Sequence, residues 1–298
     1  MKPSIDITNK LVDTALGILK PGTYHDIENQ ISIFLREQDR TSTQTKKLEK
    51  KIYRKLFEVK IKWPSTSKIV EILSPYREPD PYELIGLFRK RSYASFFFGL
   101  FLNGLIDQVP KTIHISYERL HKSVKSTSDF KNINFYDLRD SFMKKPRLSK
   151  NFAIYKDYKY IFVEREPTNN LGIEKKEAPI EKGYTSFFVT DIERTLIDCV
   201  VAPHRAGGIS TVIASFKGSN DLLDLGKMYD FYKQLEFLYP YWQRIGFIIE
   251  KSLGKELSEK WDSFFSRDKK EFFLMHEYRA DWKLDEKWKL YYPKGLDF

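Results

Sequence analysis

Three acidic side chains on strand-like sequence, Asp157, Glu164 and Glu166, are of the type that holds a divalent cation and activates water in metal-dependent nucleases. The lysine that assists the attacking water in such sites has no counterpart. Arg165 stands between the two glutamates, and a guanidinium does not give up its proton at neutral pH. A second group, Asp191, Glu193, Arg194, Asp198 and His204, again mixes carboxylates with an imidazole, a metal-binding composition. Its spacing has a structural account as well. Thr190 and Glu193 are placed as in a capping box at a helix start, and Arg194 and Asp198 lie one helical turn apart as an ion pair. Gly207-Gly208 lacks the Lys-Ser or Lys-Thr that follows in a phosphate-cradling loop, and reads as the turn that releases the chain after Pro203. The single cysteine, Cys199, falls in the apolar stretch 196–201, where a thiol is buried and inert, and it leaves neither a disulfide nor a cysteine zinc site. No catalytic constellation is complete, so the chain is expected not to be an enzyme and to need no cofactor or metal. A metal-dependent nuclease is the enzymatic alternative.

The clearest chemical signal is cationic. Formal net charge is +10, and between Arg40 and Lys62 nine basic residues stand against two acidic ones, Glu49 and Glu58. Such an excess draws a protein towards polyanions. Residues 44–57 fit a helix whose apolar stripe is Leu48, Ile52 and Leu56, with Lys46, Lys47, Lys50, Lys51 and Arg54 covering the rest of the circumference. Arg40, Thr41, Thr43 and Gln44 sit at its start, where short polar side chains reach base edges or phosphates. On this reading the lysines neutralise phosphates, and Gln44 and Arg40 supply any direct base readout. The plain alternative is a solvated lysine-rich face.

The elements that must carry this helix are legible on both sides of it. Ile5, Val12, Leu16 and Leu19 recur at helical spacing and are closed by Lys20-Pro21-Gly22. Thr23 caps a second helix with Asp26 three residues on, lined by Ile27, Ile31, Phe34 and Leu35. After the basic helix the period falls to two. Phe57, Val59, Ile61 and Trp63 alternate with charged residues up to a turn at 64–67, and 69–73 resumes as a second strand. Three helices followed by a hairpin is the layout of a winged helix, with the third helix in the major groove. Residues 74–81 carry three prolines and read as a linker. The expected fold is α+β: a winged-helix-like domain over 1–76 and a mixed α/β domain over 77–298. In the latter, helices are expected at 82–90, 94–103, 192–201, 222–237 and 241–253, and strands near 112–116, 152–155, 159–164 and 185–189. Asn103-Gly104 supplies a left-handed helix end over which Leu105 closes. The apolar run 93–105 is well short of the roughly 20 residues of a membrane span, and the first twenty residues lack the pattern of a signal peptide. With one cysteine, the expected setting is the cytoplasm, away from membranes.

Three stretches, taken in order, resemble one family. Residues 93–116, YASFFFGLFLNGLIDQVPKTIHIS, are similar to a helix ending in Gly-Leu, a Gln-x-Pro turn and a strand. Residues 189–208, VTDIERTLIDCVVAPHRAGG, carry Glu-Arg-Thr-Leu, an Asp one turn on and Pro-x-x-Ala-Gly-Gly; residues 243–250, QRIGFIIE, resemble a Gln-Arg-Leu-Gly helix ending in Glu. The family is that of the AbiE antitoxins and transcriptional regulators of type IV toxin-antitoxin, abortive-infection systems. The resemblance implies an N-terminal winged helix that represses its own promoter at inverted repeats in double-stranded DNA. It also implies a C-terminal antitoxin domain that opposes a nucleotidyltransferase-like toxin, functionally rather than necessarily by a stable complex. Glu193, Arg194, Asp198, Pro203, Gly207, Gly208, Gln243 and Arg244 are the motif residues it singles out, in structural or antitoxic roles. A stand-alone phage-defence interaction module is a further alternative.

Overall fold

The computed structural model describes residues 4–38, 40–89, 91–121, 134–181, 183–276, 281–296 and 298. The chain is α+β and divides into two compact units. The first comprises Met1–Lys90, Asn151–Tyr160 and Glu177–Ser186; the second comprises Arg91–Lys150, Ile161–Lys176 and Phe187–Phe298.

The first unit opens with helices α1 (Ser4–Ile18), α2 (Tyr24–Arg36) and α3 (Ser42–Tyr53), followed by the strands β1 (Phe57–Trp63) and β2 (Lys68–Ser74). Thr23 caps α2 as its spacing requires: the hydroxyl accepts from the Asp26 amide, and the Asp26 carboxylate accepts from the Thr23 amide. Val12, Ala15, Ile27, Ile31, Leu48 and Ile52 meet in one small core; the side chain of Ile5 lies outside the described residues. β1 and β2 pair antiparallel from Phe57↔Ser74 to Trp63↔Lys68. The connection between them is a tight turn at Pro64–Thr66 closed by Ser67 at φ 54°. Gly22 and Leu73 exchange both backbone hydrogen bonds, at 2.9 and 2.8 Å, which ties the turn between α1 and α2 to the hairpin. The outer side of β1 is occupied by β5 (Phe152–Tyr155), with Lys62 opposite Ile154 and the Trp63 indole donating to Asn151 at 2.7 Å.

The proline-rich stretch is packed rather than slack. Tyr155 and Tyr160 donate to the carbonyls of Pro79 and Pro81 at 3.3 and 2.8 Å, and Lys156 pairs with Glu78. Residues 77–90, read from sequence as the start of the second domain, therefore lie in the first unit together with 151–160 and 177–186. The helix expected at 82–90 is a 3-10 segment, Pro81–Leu87, capped by Asp80.

In the second unit, β3 (Ser92–Ser95) pairs antiparallel with β4 (Thr112–Glu118) and parallel with β8 (Gly183–Thr190) at Ala94↔Val189. The helix expected from 94 begins two residues later, as α4 (Phe96–Leu102). Ser95 belongs to the strand, where its hydroxyl meets that of Ser116 at 2.7 Å, and Phe96 turns the chain at φ 56°. Gly104 at φ 69° ends α4, with its amide bonded to Phe101 and the Leu105 amide to Leu100, the closure anticipated from Asn103-Gly104. Then follow α5 (Phe135–Met143), β6 (Tyr158–Arg165) from Ile161 on, β7 (Ile173–Ile180) as far as Lys176, α6 (Ile192–Val201), α7 (Ile209–Gly218), α8 (Leu225–Gln234), α9 (Tyr241–Ser252) and α10 (Lys255–Ser263). A small sheet of β9 (Phe272–Phe273), β10 (Trp282–Asp285) and β11 (Leu290–Pro293) closes the unit.

The motif on α9 is explained by one tryptophan. Gln243 donates to the Trp288 carbonyl at 2.7 Å, and the Trp288 indole donates to Glu250 at 3.0 Å. Midway between them, a Cβ on Gly246 would stand 2.1 Å from the Trp288 ring, which is fully buried. Trp288 is thus fastened along one face of α9.

This geometry sets the outcome of two glycine substitutions. Gly246→Ala is expected to lower unfolding free energy by at least about 1–3 kcal/mol, because an indole buried on all sides cannot retreat. Gly17→Ala, in a helix with no atom within 4 Å of the new methyl, is expected to raise it by about 0.5–1 kcal/mol. Urea unfolding of both variants checks the pair.

Candidate nucleic-acid interface

Helix α3 is capped by Thr41, whose hydroxyl accepts from the Gln44 amide while the Gln44 side-chain oxygen accepts from the Thr41 amide at 3.2 Å. Leu48 and Ile52 are both 0% exposed and hold the helix to the core by one edge. At about 100° per residue, Thr43, Gln44, Lys46, Lys47, Lys50, Lys51 and Arg54 share an arc of about 160° that excludes that edge. All seven are exposed, and Arg40 just before them is half-buried. None of the four lysines nor Arg54 has an ion-pair partner among the described residues, whereas Lys60 on the adjacent strand meets Glu71 at 3.5 Å. An uncompensated row of this kind has nothing of its own to hold.

The cap alters the part expected of Gln44. Reading an adenine edge takes both carboxamide atoms, and the oxygen is already engaged with the Thr41 amide. While the cap stands, Gln44 offers its nitrogen as a single donor. The hairpin tip, 64–67, is exposed and carries only Pro, Ser and Thr, with Lys62 and Lys68 exposed at its base.

The acidic residues considered for catalysis are otherwise occupied. Arg119 bridges Glu164 and Glu166 at 2.8 and 3.0 Å. Asp157 lies in the first unit, exposed between β5 and β6. Asp191, not Thr190, caps α6: its carboxylate accepts from the Arg194 amide at 2.9 Å. Thr190 instead faces the Thr195 hydroxyl at 2.6 Å. Glu193 accepts from the Asp224 amide and, with Asp191, takes the ammonium of Lys227 at 2.7 and 2.9 Å. Among the described residues no three His, Cys, Asp or Glu side chains are grouped to hold a metal.

Arg194 and Asp198 pair at 3.3 Å, as their spacing indicates, and both are 0% exposed. The partner that sequence missed is Arg165, at 2.5 Å from the same Asp198 oxygen. Its only signal was an arginine amid glutamates on a strand, and nothing local pointed it inward. Burial alone would raise the Asp198 pKa; the guanidiniums of Arg165 and Arg194 outweigh it and hold the carboxyl below its ordinary value of 3.8. Arg194 also donates to the Leu171 carbonyl at 2.8 Å. Cys199 is buried and its thiol pushed well up by desolvation, so it is not a nucleophile. Pro203 opens a 3-10 turn, and Gly207 and Gly208, at φ 81° and 100°, lead into α7. Arg244 on α9 is wholly buried against the rings of Phe142 and Tyr241, at 5.3 and 5.2 Å, and desolvation lowers its pKa to about 10.

In class, this is an α+β protein with an unpaired cationic helix face, and no described helix is long and apolar enough to cross a membrane. No family model and no curated protein matches the chain. Among solved structures its fold is similar to that of the RV2827C protein from Mycobacterium tuberculosis, with a TM-score of 0.52 and 11% identity over 96% of this chain and 89% of that one.

Breaking the buried ion cluster is expected to be costly. Asp198→Asn leaves two guanidiniums without a counter-charge and should lose about 3–5 kcal/mol at neutral pH. A depressed carboxyl contributes stability above its unfolded pKa and loses it as pH falls through the folded one. The gap between wild type and variant should therefore shrink below about pH 4, as denaturant unfolding across pH 2.5–7 would register.

Proposed function

We infer that the protein is a DNA-binding transcriptional autorepressor and the antitoxin of a type IV toxin-antitoxin, abortive-infection system. The observation that carries the reading is the uncompensated row of Lys46, Lys47, Lys50, Lys51 and Arg54, held outward by a helix that is itself locked to a core. The first unit acts as a winged helix: α3 enters the major groove, the lysines take phosphates on either side, and the hairpin tip with Lys62 and Lys68 follows the backbone. Arg40, Thr43 and the Gln44 amide are the groups placed to touch base edges. The target is double-stranded DNA of the protein's own promoter, at inverted repeats, in the cytoplasm. The second unit carries the three stretches that resemble AbiE antitoxins, and opposes a nucleotidyltransferase-like toxin without requiring a lasting complex. The protein does no chemistry of its own.

The test is a mobility shift with the upstream DNA of its own gene across a salt series. Wild type should bind specifically, with affinity falling steeply as salt rises. Replacing Lys46, Lys47, Lys50 and Lys51 by Ala should flatten the log–log slope by about 3–4 and abolish binding at physiological salt. Folding should survive, because the change removes the like-charged i,i+4 pairs 46/50 and 47/51 and breaks no ion pair. Absence of any shift at low salt defeats the reading. Sequence-blind binding with capture of a protein partner would favour an interaction module, and DNA cleavage with Mg²⁺ would favour a nuclease.

A further inference from the structure

The hairpin of the first unit ends without charge. Residues 64–67 are Pro, Ser, Thr and Ser, so a wing that follows a phosphate backbone has no cation at its tip. β5 packs against that turn as well as along β1, and its approach is marked by Asn151, which accepts from the Trp63 indole at 2.7 Å.

The run that leads into Asn151 is cationic. Lys144-Lys145-Pro146-Arg147-Leu148-Ser149-Lys150 holds four basic residues in seven, and no acidic residue occurs from 141 to 156. Lys144, Lys145, Arg147 and Lys150 are all exposed, and none has an ion-pair partner among the described residues. Lys156, six residues on, is by contrast paired with Glu78.

The backbone of this run is held open. Lys144 leaves α5 at φ −68° and ψ 146°, and the ring of Pro146 keeps Lys145 out of helical conformations. Ser149 donates its hydroxyl to the Phe162 carbonyl at 2.7 Å, which pins the far end. An extended run of seven residues reaches up to about 20 Å, a length over which one strand of B-DNA sets about six phosphates. Lys150 is joined to Asn151 by one peptide bond, and Arg147, four residues back, has its Cα within about 14 Å of the Asn151 Cα by chain length alone. Exposure by itself suits a solvated loop equally well. What favours DNA is where the run ends, at the residue that holds the tryptophan of the wing.

We propose that segment 144–150 is a second DNA contact, a cationic strap along the phosphate backbone in which Lys144, Lys145, Arg147 and Lys150 supply the charge that the hairpin tip lacks. The strap rests on the DNA-binding reading of α3 and extends it: contacts to phosphate position the protein and carry no sequence information.

The test compares the full chain with two variants, on the upstream DNA of its own gene and on an unrelated duplex, each across a salt series. One variant combines Lys144→Ala, Lys145→Ala, Arg147→Ala and Lys150→Ala; the other combines Lys144→Arg, Lys145→Arg and Lys150→Arg. The alanine variant should flatten the log–log slope by about 2–4 and bind both duplexes about tenfold or more weakly at physiological salt, with the ratio between them unchanged. The arginine variant keeps the charge and should keep the wild-type slope. Equal thermal unfolding midpoints would show that both variants fold. A wild-type slope in the alanine variant overturns the strap and leaves the α3 reading intact, and so does a loss confined to the promoter DNA, which would mark base readout instead. A wild type that shifts neither duplex at low salt defeats the DNA-binding reading itself, and the strap with it.

Discussion

Leu48 and Ile52 grip the core of the first unit by one edge of α3, and the narrowness of that edge is what leaves the cationic face in water. A helix held by a wide apolar face would have buried part of its lysine stems; held by two residues of a stripe, it leaves some 160° of its circumference in water. Like charges at i and i+4 on that arc repel, and among the described residues no carboxylate reaches them. The chain gains nothing in folding from this arrangement. A partner rich in negative charge is what would make it favourable.

The second unit solves the opposite problem, charge kept out of water. Asp198 survives at 0% exposure because two guanidiniums reach it, and each of those is further held: Arg194 by the Leu171 carbonyl and Arg165 by the face of Phe96. Such a cluster adds little net stability, since desolvating three ions offsets most of their attraction. What it fixes is geometry. The pairs tie β6, which carries Arg165, to α6, which carries Asp198 and Arg194, and the Pro203 turn follows directly from the end of α6.

The motif on α9 shows how a string of polar and small residues becomes meaningful only beside its partner. Gln243, Gly246 and Glu250 are spaced at three and four, which marks one helix face and nothing more. Trp288, some forty residues later, occupies that face with its carbonyl, ring and indole nitrogen in turn. Residues whose chemistry looked available for function are consumed by packing here.

Local rules sufficed where the determining contacts are local. The cap of α2 by Thr23 and Asp26, the basic helix with its Leu48–Ile52 edge, the hairpin 57–74, the left-handed end at Gly104 and the Arg194–Asp198 pair could all be read from spacing, because each is settled within a few residues by hydrogen-bond geometry or hydrophobic period. Tertiary structure alone decided the rest. It took 77–90 into the first unit through two tyrosine hydroxyls more than seventy positions away, began α4 two residues late because Ser95 pairs with Ser116, and turned Arg165 inward to Asp198. The physical reason is the same each time: a chain senses its near neighbours through fixed bond geometry, but a buried polar atom takes whichever partner the completed fold brings within 3 Å, however distant in sequence.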